Sequence, residues 1–183
     1  TQLLMLEIVN VVGSGEINQQ LDLLSLYSDI KPPLAKYDPE MYHAMYLFSN
    51  DEESPLATVY TSGKYIIVGA ESVEELEETR QEMLQTLSRS NEINDIENAQ
   101  IEINNIVASG DVGMELDLDQ VSIELGLEDT EYDPRNFPGV IYDDSENNCT
   151  VLIFRTGKVT ITGATSFADT ENAYEQFLEL LSE

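Results

Sequence analysis

The chain has 183 residues, with 8 Lys and Arg against 36 Asp and Glu, which gives a formal net charge of −28. This balance excludes a protein that holds nucleic acid with a generally basic surface. A hydrophobic share of 42% provides enough apolar material for a core, so the chain is not an acidic disordered tail either. The length fits one domain or two small ones.

No apolar run approaches the ~18–20 residues that a membrane-spanning helix needs. The first residues, TQLLMLEIVNVV, also lack the basic segment that opens a secretory signal. We therefore expect a cytoplasmic protein with no membrane partner.

The first predicted element is an apolar strand that leads into Gly13-Ser14-Gly15. A phosphate-binding loop would need a third glycine at the dinucleotide-binding spacing, or a Gly-Lys-Ser/Thr ending, and the motif has neither. We interpret the two glycines as a turn before the helix-like stretch that follows.

Next in chain order, the segment EMYHAMYLF around His43 alternates like a strand. His43 is the only histidine and Cys149 the only cysteine, which excludes an intrachain disulfide framework, a cysteine zinc site and a histidine metal cluster. We expect His43 to be an ordinary strand residue. We also expect no catalytic site, no metal and no cofactor.

Two apolar runs then flank Ser62-Gly63, which predicts a strand hairpin. The following segment predicts a helix, because Ser72 and Glu75 form an S-x-x-E capping box and apolar residues recur after it at helical spacing. The glutamates on the other side of this helix indicate a solvated surface.

The chain then repeats the same order of elements. IVNVVGSGEI at Ile8–Ile17 recurs as INNIVASGDV at Ile103–Val112, 95 residues later. ATVYTSGKYIIVGA at Ala57–Ala70 recurs as VLIFRTGKVTITGA at Val151–Ala164, 94 residues later. Ordered motifs at nearly one offset predict two copies of a unit of about 90 residues. We place the copies at residues 1–92 and 93–183, each reading strand, helix, several strands, helix.

The strands are apolar or weakly polar on both faces. In the second copy Val151 and Ile153 alternate with Leu152 and Phe154, and successive strand side chains point to opposite faces. A sheet with one face in water normally alternates apolar and polar residues. Because the helices of each copy can cover only one face, the other is either a core between the two halves or an exposed apolar binding surface.

Acidic residues are absent from these strand pairs. Leu56–Ala70 contains no acid and one base, Lys64, whereas Thr150–Ser166 contains no acid and two bases, Arg155 and Lys158. In a chain of net charge −28, this favours a sheet face reserved for a partner that repels carboxylates or is itself apolar.

Taken together, the ordered motifs resemble the core domain of the TATA-box-binding protein family, in an archaeal and halophile-like form. YDPRNFPGVIY, LIFRTGK and TITGA are similar to the second repeat of that family, and YDPEMYHAMYL, TVYTSGK and IIVGA are similar to its first repeat. The resemblance implies an α+β fold in which two direct repeats form one curved antiparallel sheet, a saddle with helices on the convex face. It also implies that the concave face binds the minor groove of AT-rich, double-stranded DNA and bends it.

The resemblance further implies a DNA-binding set on the concave face, made of aromatic wedges, base-facing asparagines, groove-floor side chains and two lysines. By position in this sequence the set is Asn10, Val12, Tyr42, Thr58, Tyr60, Lys64, Ile66, Val68, Asn105, Val107, Phe137, Leu152, Phe154, Lys158, Thr160 and Thr162. Phe137 and Phe154 are the implied wedges of the second repeat. Tyr42 and Tyr60 hold the matching positions of the first, where the family usually has Phe.

Three implied phosphate-contacting positions depart from the family. Asp143 stands where a basic residue is usual, and Glu71 and Thr165 stand where a lysine is usual. Because cation–phosphate contacts supply much of the affinity for DNA at ordinary salt, we expect weak binding in dilute buffer. At multimolar salt the screening length falls to ~3 Å or less, so distant carboxylates cost little and binding should persist or strengthen.

The resemblance implies transcription factor B as a protein partner, at positions that match Asp133 and Arg135. Arg135 is opposite in charge to the usual Glu. The predicted function is a non-enzymatic, nucleoid-associated initiation factor that binds and bends TATA-box DNA and recruits transcription factor B and RNA polymerase. We expect a monomer on DNA and leave open a dimer when free.

Two alternatives come from other classes of protein. One is a divergent paralogue that has lost DNA binding and acts as a protein-binding adaptor or decoy. The other is a small-molecule-binding α+β domain, against which stands the lack of convergent polar and titratable groups in the predicted sheet.

Overall fold

The computed structural model describes residues 5–30, 32–48, 55–90, 93 and 100–182. The strands within these ranges are β1 (Glu7–Glu16), β2 (Ala35–Lys36), β3 (Ala44–Phe48), β4 (Leu56–Tyr60), β5 (Lys64–Ala70), β6 (Ile101–Asp111), β7 (Thr130–Glu131), β8 (Gly139–Asp144), β9 (Cys149–Phe154) and β10 (Lys158–Ala164). The helices are α1 (Leu23–Ile30), α2 (Val73–Ser88), α3 (Leu118–Leu125) and α4 (Phe167–Leu181). The predicted order of strand, helix, several strands and helix is therefore confirmed in both copies.

The described chain divides into two compact units. The first-repeat unit is Asn10–Asn104, and the second-repeat unit combines the residues up to Val9 with those from Asn105 onward. Leu6 packs against the core of the second-repeat unit. The predicted boundary between residues 92 and 93 falls at the edge of a segment outside the described residues.

Strand pairing repeats with the sequence. In the first-repeat unit the strand order is β2-β3-β4-β5-β1, and in the second-repeat unit it is β6-β10-β9-β8-β7, with the described pairs antiparallel. Thr58 of β4 lies opposite Ile66 of β5, and Leu152 of β9 lies opposite Thr160 of β10, which are the same two positions 94 residues later. The duplication therefore extends to the register of the sheet.

The predicted hairpin turns are present in both units. Gly63 has φ +88° and Gly157 has φ +91°. The N–H of Gly63 donates to the backbone oxygen of Tyr60, and the N–H of Gly157 donates to the backbone oxygen of Phe154, each the last residue of the preceding strand. A positive φ is accessible to glycine without the steric penalty that a side chain would bring.

The prediction of a turn at Gly13 and Gly15 is wrong, because both residues lie inside β1. A Cβ at Gly13 would lie 2.8 Å from Ile101 Cδ1 and 2.9 Å from Leu76 Cδ2. The absence of a side chain at these glycines therefore lets neighbouring elements pack closely. In the sequence, a glycine that permits packing looks the same as a glycine in a turn. The prediction of His43 as a strand residue is also wrong, since β3 begins one residue later and His43 is exposed.

The predicted cap of α2 is confirmed, and α4 has an equivalent cap that the sequence analysis did not identify. Ser72 accepts the N–H of Glu75 at 3.0 Å and begins α2. Ser166 accepts the N–H of Asp169 at 3.2 Å and begins α4 in the second-repeat unit. An N-cap hydroxyl satisfies one of the free N–H groups in the first helical turn, so these serines fix where each helix starts.

The helices pack on one face of each sheet, and the core lies between them. That face carries the buried half of each strand alternation, for example Val59 and Ile67 in the first-repeat unit and Ile153 and Ile161 in the second-repeat unit. The helices contribute Leu76, Met83, Leu84 and Leu87 from α2, and Ala173, Tyr174 and Phe177 from α4. No helix among the described residues has the length and apolarity that crossing a membrane requires.

Gly110 permits the close approach of α4 in the second-repeat unit. A Cβ at Gly110 would lie 2.7 Å from Cε2 and Cζ of Tyr174, a buried residue of α4. The Tyr174 hydroxyl donates to the backbone oxygen of Asp111 at 3.4 Å, which holds the ring over the strand. The glycine and the aromatic ring therefore form one packing unit.

We predict that Gly110→Ala lowers the free energy of unfolding by about 1–3 kcal/mol, because the methyl group overpacks this contact. In a Tyr174→Leu background the same substitution should cost much less, since the obstructing ring is gone. Urea denaturation at fixed high salt measures both values. Equal costs in the two backgrounds would contradict the assigned contact.

Candidate nucleic-acid interface

Each unit has a second sheet face, opposite the helices, that we call the open face. Its side chains come from the alternate strand positions and are half-buried to exposed, with Ile66 at 36% exposure. The central row of this face is Ser14, Ile66, Thr58 and Tyr46 in the first-repeat unit and Ser109, Thr160, Leu152 and Ile141 in the second-repeat unit. No charged side chain occurs in either row, although the next position on each edge strand is charged, with Lys36 opposite Tyr46 and Glu131 opposite Ile141.

The strand residues implied by the family resemblance lie on this open face within their own units. Those on β4, β5, β9 and β10 are Thr58, Tyr60, Ile66, Val68, Leu152, Phe154, Thr160 and Thr162, and all are partly or fully exposed. Val12 and Val107 are half-buried and alternate with buried neighbours on β1 and β6. The sheet register therefore places these residues on one face within each unit, and their contact with DNA stays a prediction.

The two implied asparagines have the same fixed orientation. Asn10 Oδ1 accepts the backbone N–H of Gly69 at 2.9 Å, and Asn105 Oδ1 accepts the N–H of Gly163 at 2.7 Å. A backbone N–H can pair only with the carbonyl oxygen of the side-chain amide, so the NH₂ group of each asparagine is directed away from that glycine. Thr162 adds a second, longer contact to Asn105 Oδ1 at 3.4 Å.

Irregular pairing creates both of these glycine donors. The register shifts between Val11 and Gly13 where β1 meets β5, and between Ile161 and Ala164 where β6 meets β10. Gly69 has φ +91° and Gly163 has φ +98°, a conformation that glycine adopts without strain. A β-bulge frees a backbone N–H from the ladder, and here an asparagine side chain receives it.

Aromatic rings pair differently in the two units. Phe137 and Phe154 meet edge to face in the second-repeat unit, with ring centroids 5.7 Å apart. In the first-repeat unit Tyr42 meets Tyr46, with centroids 5.3 Å apart and planes at 83°. Tyr60 instead lines an open pocket of ≈ 760 Å³ together with Ser14, Lys64 and Ile66.

Charge enters the open face only at its turn ends and outer edge among the described residues. Lys64 lies opposite Glu16, and Lys158 lies opposite Asp111, so each lysine after a hairpin turn has a cross-strand acid. Asp143 lies opposite Thr150 and is exposed. The two lysines therefore bring little net positive charge to the face.

The implied partner-binding residues form an exposed ion pair before β8. Arg135 donates from Nε to Asp133 Oδ1 at 2.9 Å and from its terminal nitrogen to Oδ2 at 3.0 Å. The hydrogen bonds from Arg135 lower the pKa of Asp133 below its usual value. The Arg135 side chain stays 87% exposed. In the first-repeat unit Glu40 stands at the position of Arg135, and its backbone N–H donates to Asp38 Oδ1 at 3.0 Å.

Sequence reasoning missed four residues of the central rows: Ser14, Tyr46, Ser109 and Ile141. Each lies directly beside a predicted residue across the ladder, for example Tyr46 beside Thr58. The pairing register, carried from one repeat to the other, would have identified them. Within the described ranges, no group of three or more His, Cys, Asp or Glu side chains is placed to hold a metal ion.

Three comparisons with known proteins agree with this geometry. The family model described as transcription factor TFIID (or TATA-binding protein, TBP) matches residues 5–90 and 100–183. TATA-box-binding protein C of Halobacterium salinarum is 40% identical over 177 residues, which is 97% of each chain. The TATA-box-binding protein of Archaeoglobus fulgidus is 34% identical, covering 96% of this chain and 94% of its own. The solved structure of Methanococcus jannaschii TBP aligns with a TM-score of 0.79 at 34% identity, over 97% of this chain and 98% of that one.

The fold class predicted from the sequence is confirmed, since each unit is α+β, with five antiparallel strands and two helices among the described residues. The chain belongs to the TATA-binding protein family. This is a family of transcription factors and not of enzymes.

Proposed function

We propose that this chain binds the minor groove of AT-rich, TATA-box promoter DNA through the open faces of its two repeats. It bends the duplex and recruits transcription factor B and RNA polymerase as a general initiation factor at the nucleoid. It acts as a monomer on DNA. Family membership supports the class of function, and the described residues supply the physical reasons below.

One observation carries this proposal: the two open faces are uncharged across their central rows in a chain of net charge −28. A solvated sheet face in so acidic a protein would normally carry acids, as the exposed faces of α2 and α4 do. Keeping carboxylates out removes the repulsion that phosphates would otherwise meet. The remaining apolar and small polar side chains suit a groove floor.

The fixed asparagines fit the chemistry of the minor groove. Because Asn10 and Asn105 have their Oδ1 atoms occupied by Gly69 and Gly163, their NH₂ groups are the parts left for a ligand. A·T and T·A pairs show only the acceptors adenine N3 and thymine O2 in the minor groove, whereas G·C pairs add an N2 amino donor. Donors held in place therefore favour A·T pairs in either orientation.

The aromatic rings supply the bending. An apolar ring that enters between two base pairs unstacks them and kinks the duplex away from the minor groove. The edge-to-face contact between Phe137 and Phe154 holds both rings on the same side of the second-repeat unit. A paired ring keeps its orientation better than an isolated one, so less side-chain freedom is lost on insertion.

The balance of charge sets the salt range of binding. Lys64 and Lys158 face acids across the ladder, so few counterions leave the DNA when the complex forms. The repulsion between the other carboxylates and the phosphates is long-ranged and disappears as the screening length falls. Apolar contact with the groove and the unstacking of bases do not depend on charge, so both remain at high salt.

The central prediction is that affinity for a TATA-box duplex persists or rises between about 0.1 M and about 3 M KCl, because salt removes repulsion faster than it removes attraction. Anisotropy of an end-labelled duplex measures affinity, and energy transfer between dyes on its two ends measures bending. A duplex with G·C pairs in place of the TATA box is the control. A steady loss of affinity with salt, or no binding at any salt, would instead favour a protein-binding adaptor that has lost the ability to bind DNA.

The partner surface is the loop that carries Asp133 and Arg135. Since Arg135 occupies both carboxylate oxygens of Asp133, an approaching protein meets a guanidinium edge and not a free acid. We propose that transcription factor B of the same cell presents an acceptor or an acid to this edge.

We predict that Arg135→Glu weakens the complex with that transcription factor B on DNA by about two- to fivefold, the range of an exposed ion pair. Arg89→Glu makes the same charge change at the end of α2 and should have no effect on this complex. Gel mobility of the ternary complex measures both. Equal weakening by the two variants, or stronger binding of Arg135→Glu, would contradict the assigned contact.

A further inference from the structure

The ring pair of the first repeat differs from the one that repeat symmetry expects. The residues that match Phe137 and Phe154 are Tyr42 and Tyr60, yet Tyr42 packs edge to face on Tyr46. We propose that Tyr46 is a DNA-contacting residue, and that Tyr42 and Tyr46 form the wedge of the first-repeat unit at one end of an AT-rich site. This inference rests on the function proposed above and replaces Tyr60 in the wedge.

The second-repeat pair depends on a glycine between its rings. Gly139 begins β8 and lies directly opposite Phe154. A Cβ on Gly139 would lie 3.1 Å from Phe137 Cε1, 3.2 Å from Phe154 Cδ1 and 2.9 Å from the backbone oxygen of Ile153. These distances are tighter than ordinary van der Waals contact, so a side chain here would push the two rings apart.

The first-repeat unit has that side chain. Ala44 begins β3 and lies directly opposite Tyr60, the same place in the register as Gly139. Ala44 is buried, and its methyl group takes up room at the register position where Gly139 lets the two phenyl rings approach. The arrangement of Phe137 and Phe154 therefore cannot be copied onto Tyr42 and Tyr60 without a shift of the rings.

Tyr46 offers the alternative partner. It is two residues after Ala44 on β3, and therefore on the same open face, opposite Thr58. The second-repeat unit has Ile141 at this register position, opposite Leu152, so no second ring is available there. The change from glycine to alanine and the change from isoleucine to tyrosine together move the ring contact from β4 to β3.

The consequence is a wedge of different chemistry at each end of the DNA site. The second-repeat wedge has two phenyl rings, and the first-repeat wedge has two phenol rings whose hydroxyls can reach acceptors on sugar or phosphate. A neutral hydroxyl donor is not weakened by salt as a cation–phosphate contact is. The ring of Tyr42 enters the base step, and the ring of Tyr46 supports its edge.

The test uses duplexes with 2-aminopurine at the base step at either end of the TATA box, because the fluorescence of this base rises on unstacking. Tyr46→Ile installs the residue that the second repeat has and should lower unstacking and affinity at one end by about two- to tenfold, the range of an edge-to-face ring contact. Tyr46→Phe retains the ring and loses only the hydroxyl, so unstacking should stay close to that of the unsubstituted protein, and any loss of affinity measures the hydroxyl contact alone. Tyr60→Leu should also leave unstacking at that end unchanged.

Phe154→Ala, assayed on the same duplexes, separates this inference from the proposed function. If Phe154→Ala loses unstacking at its end while Tyr46→Ile loses none, the DNA-binding function stands and the role of Tyr46 is overturned. Loss of unstacking in Tyr60→Leu, with Tyr42 and Tyr46 intact, would overturn it as well, and this arm does not depend on whether Tyr46→Ile folds. If the unsubstituted protein unstacks neither end, the proposed function itself fails.

Discussion

The repulsion between carboxylates and a polyanion is the constraint on which the rest of the structure depends. A chain with 36 acids can approach DNA only where those acids are absent. The fold meets this condition by sorting its side chains between the two faces of each sheet. Glutamates such as Glu74, Glu78 and Glu175 lie exposed on α2 and α4, whereas the middle rows of the open faces carry hydroxyls, aliphatic groups and rings.

The duplication extends this separation of side chains to two open faces, because both repeats have the same strand register. Bulges at Gly69 and Gly163 hold Asn10 and Asn105 in the same orientation. The repeats then diverge at single positions such as Ala44. The scaffold fixes the donors in both copies, whereas the ring contacts follow the local change and differ between copies.

The sequence predicted the elements with strong local signals and missed those fixed by distant contacts. The capping serine Ser72 lies where its pattern put it, and the two-residue alternation divided the strand side chains into the two sets that the structure places on opposite faces. Gly13 was misread because its packing against Ile101 and Leu76 has no signal in the local sequence. Tyr46 was missed for the same reason, since only the pairing of β3 with β4 places it beside Thr58.

The most direct measurement is the effect of one acid placed on the open face. Thr160→Glu puts a carboxylate in the central row of the second-repeat unit, and Asn172→Glu adds the same charge on the exposed side of α4. At about 1 M KCl, where repulsion acts only over ~3 Å, affinity for a TATA-box duplex should fall more than about tenfold for Thr160→Glu and stay unchanged for Asn172→Glu. Equal affinities of the two variants, with both folded by circular dichroism, would contradict the claim that the uncharged face is the DNA-binding surface.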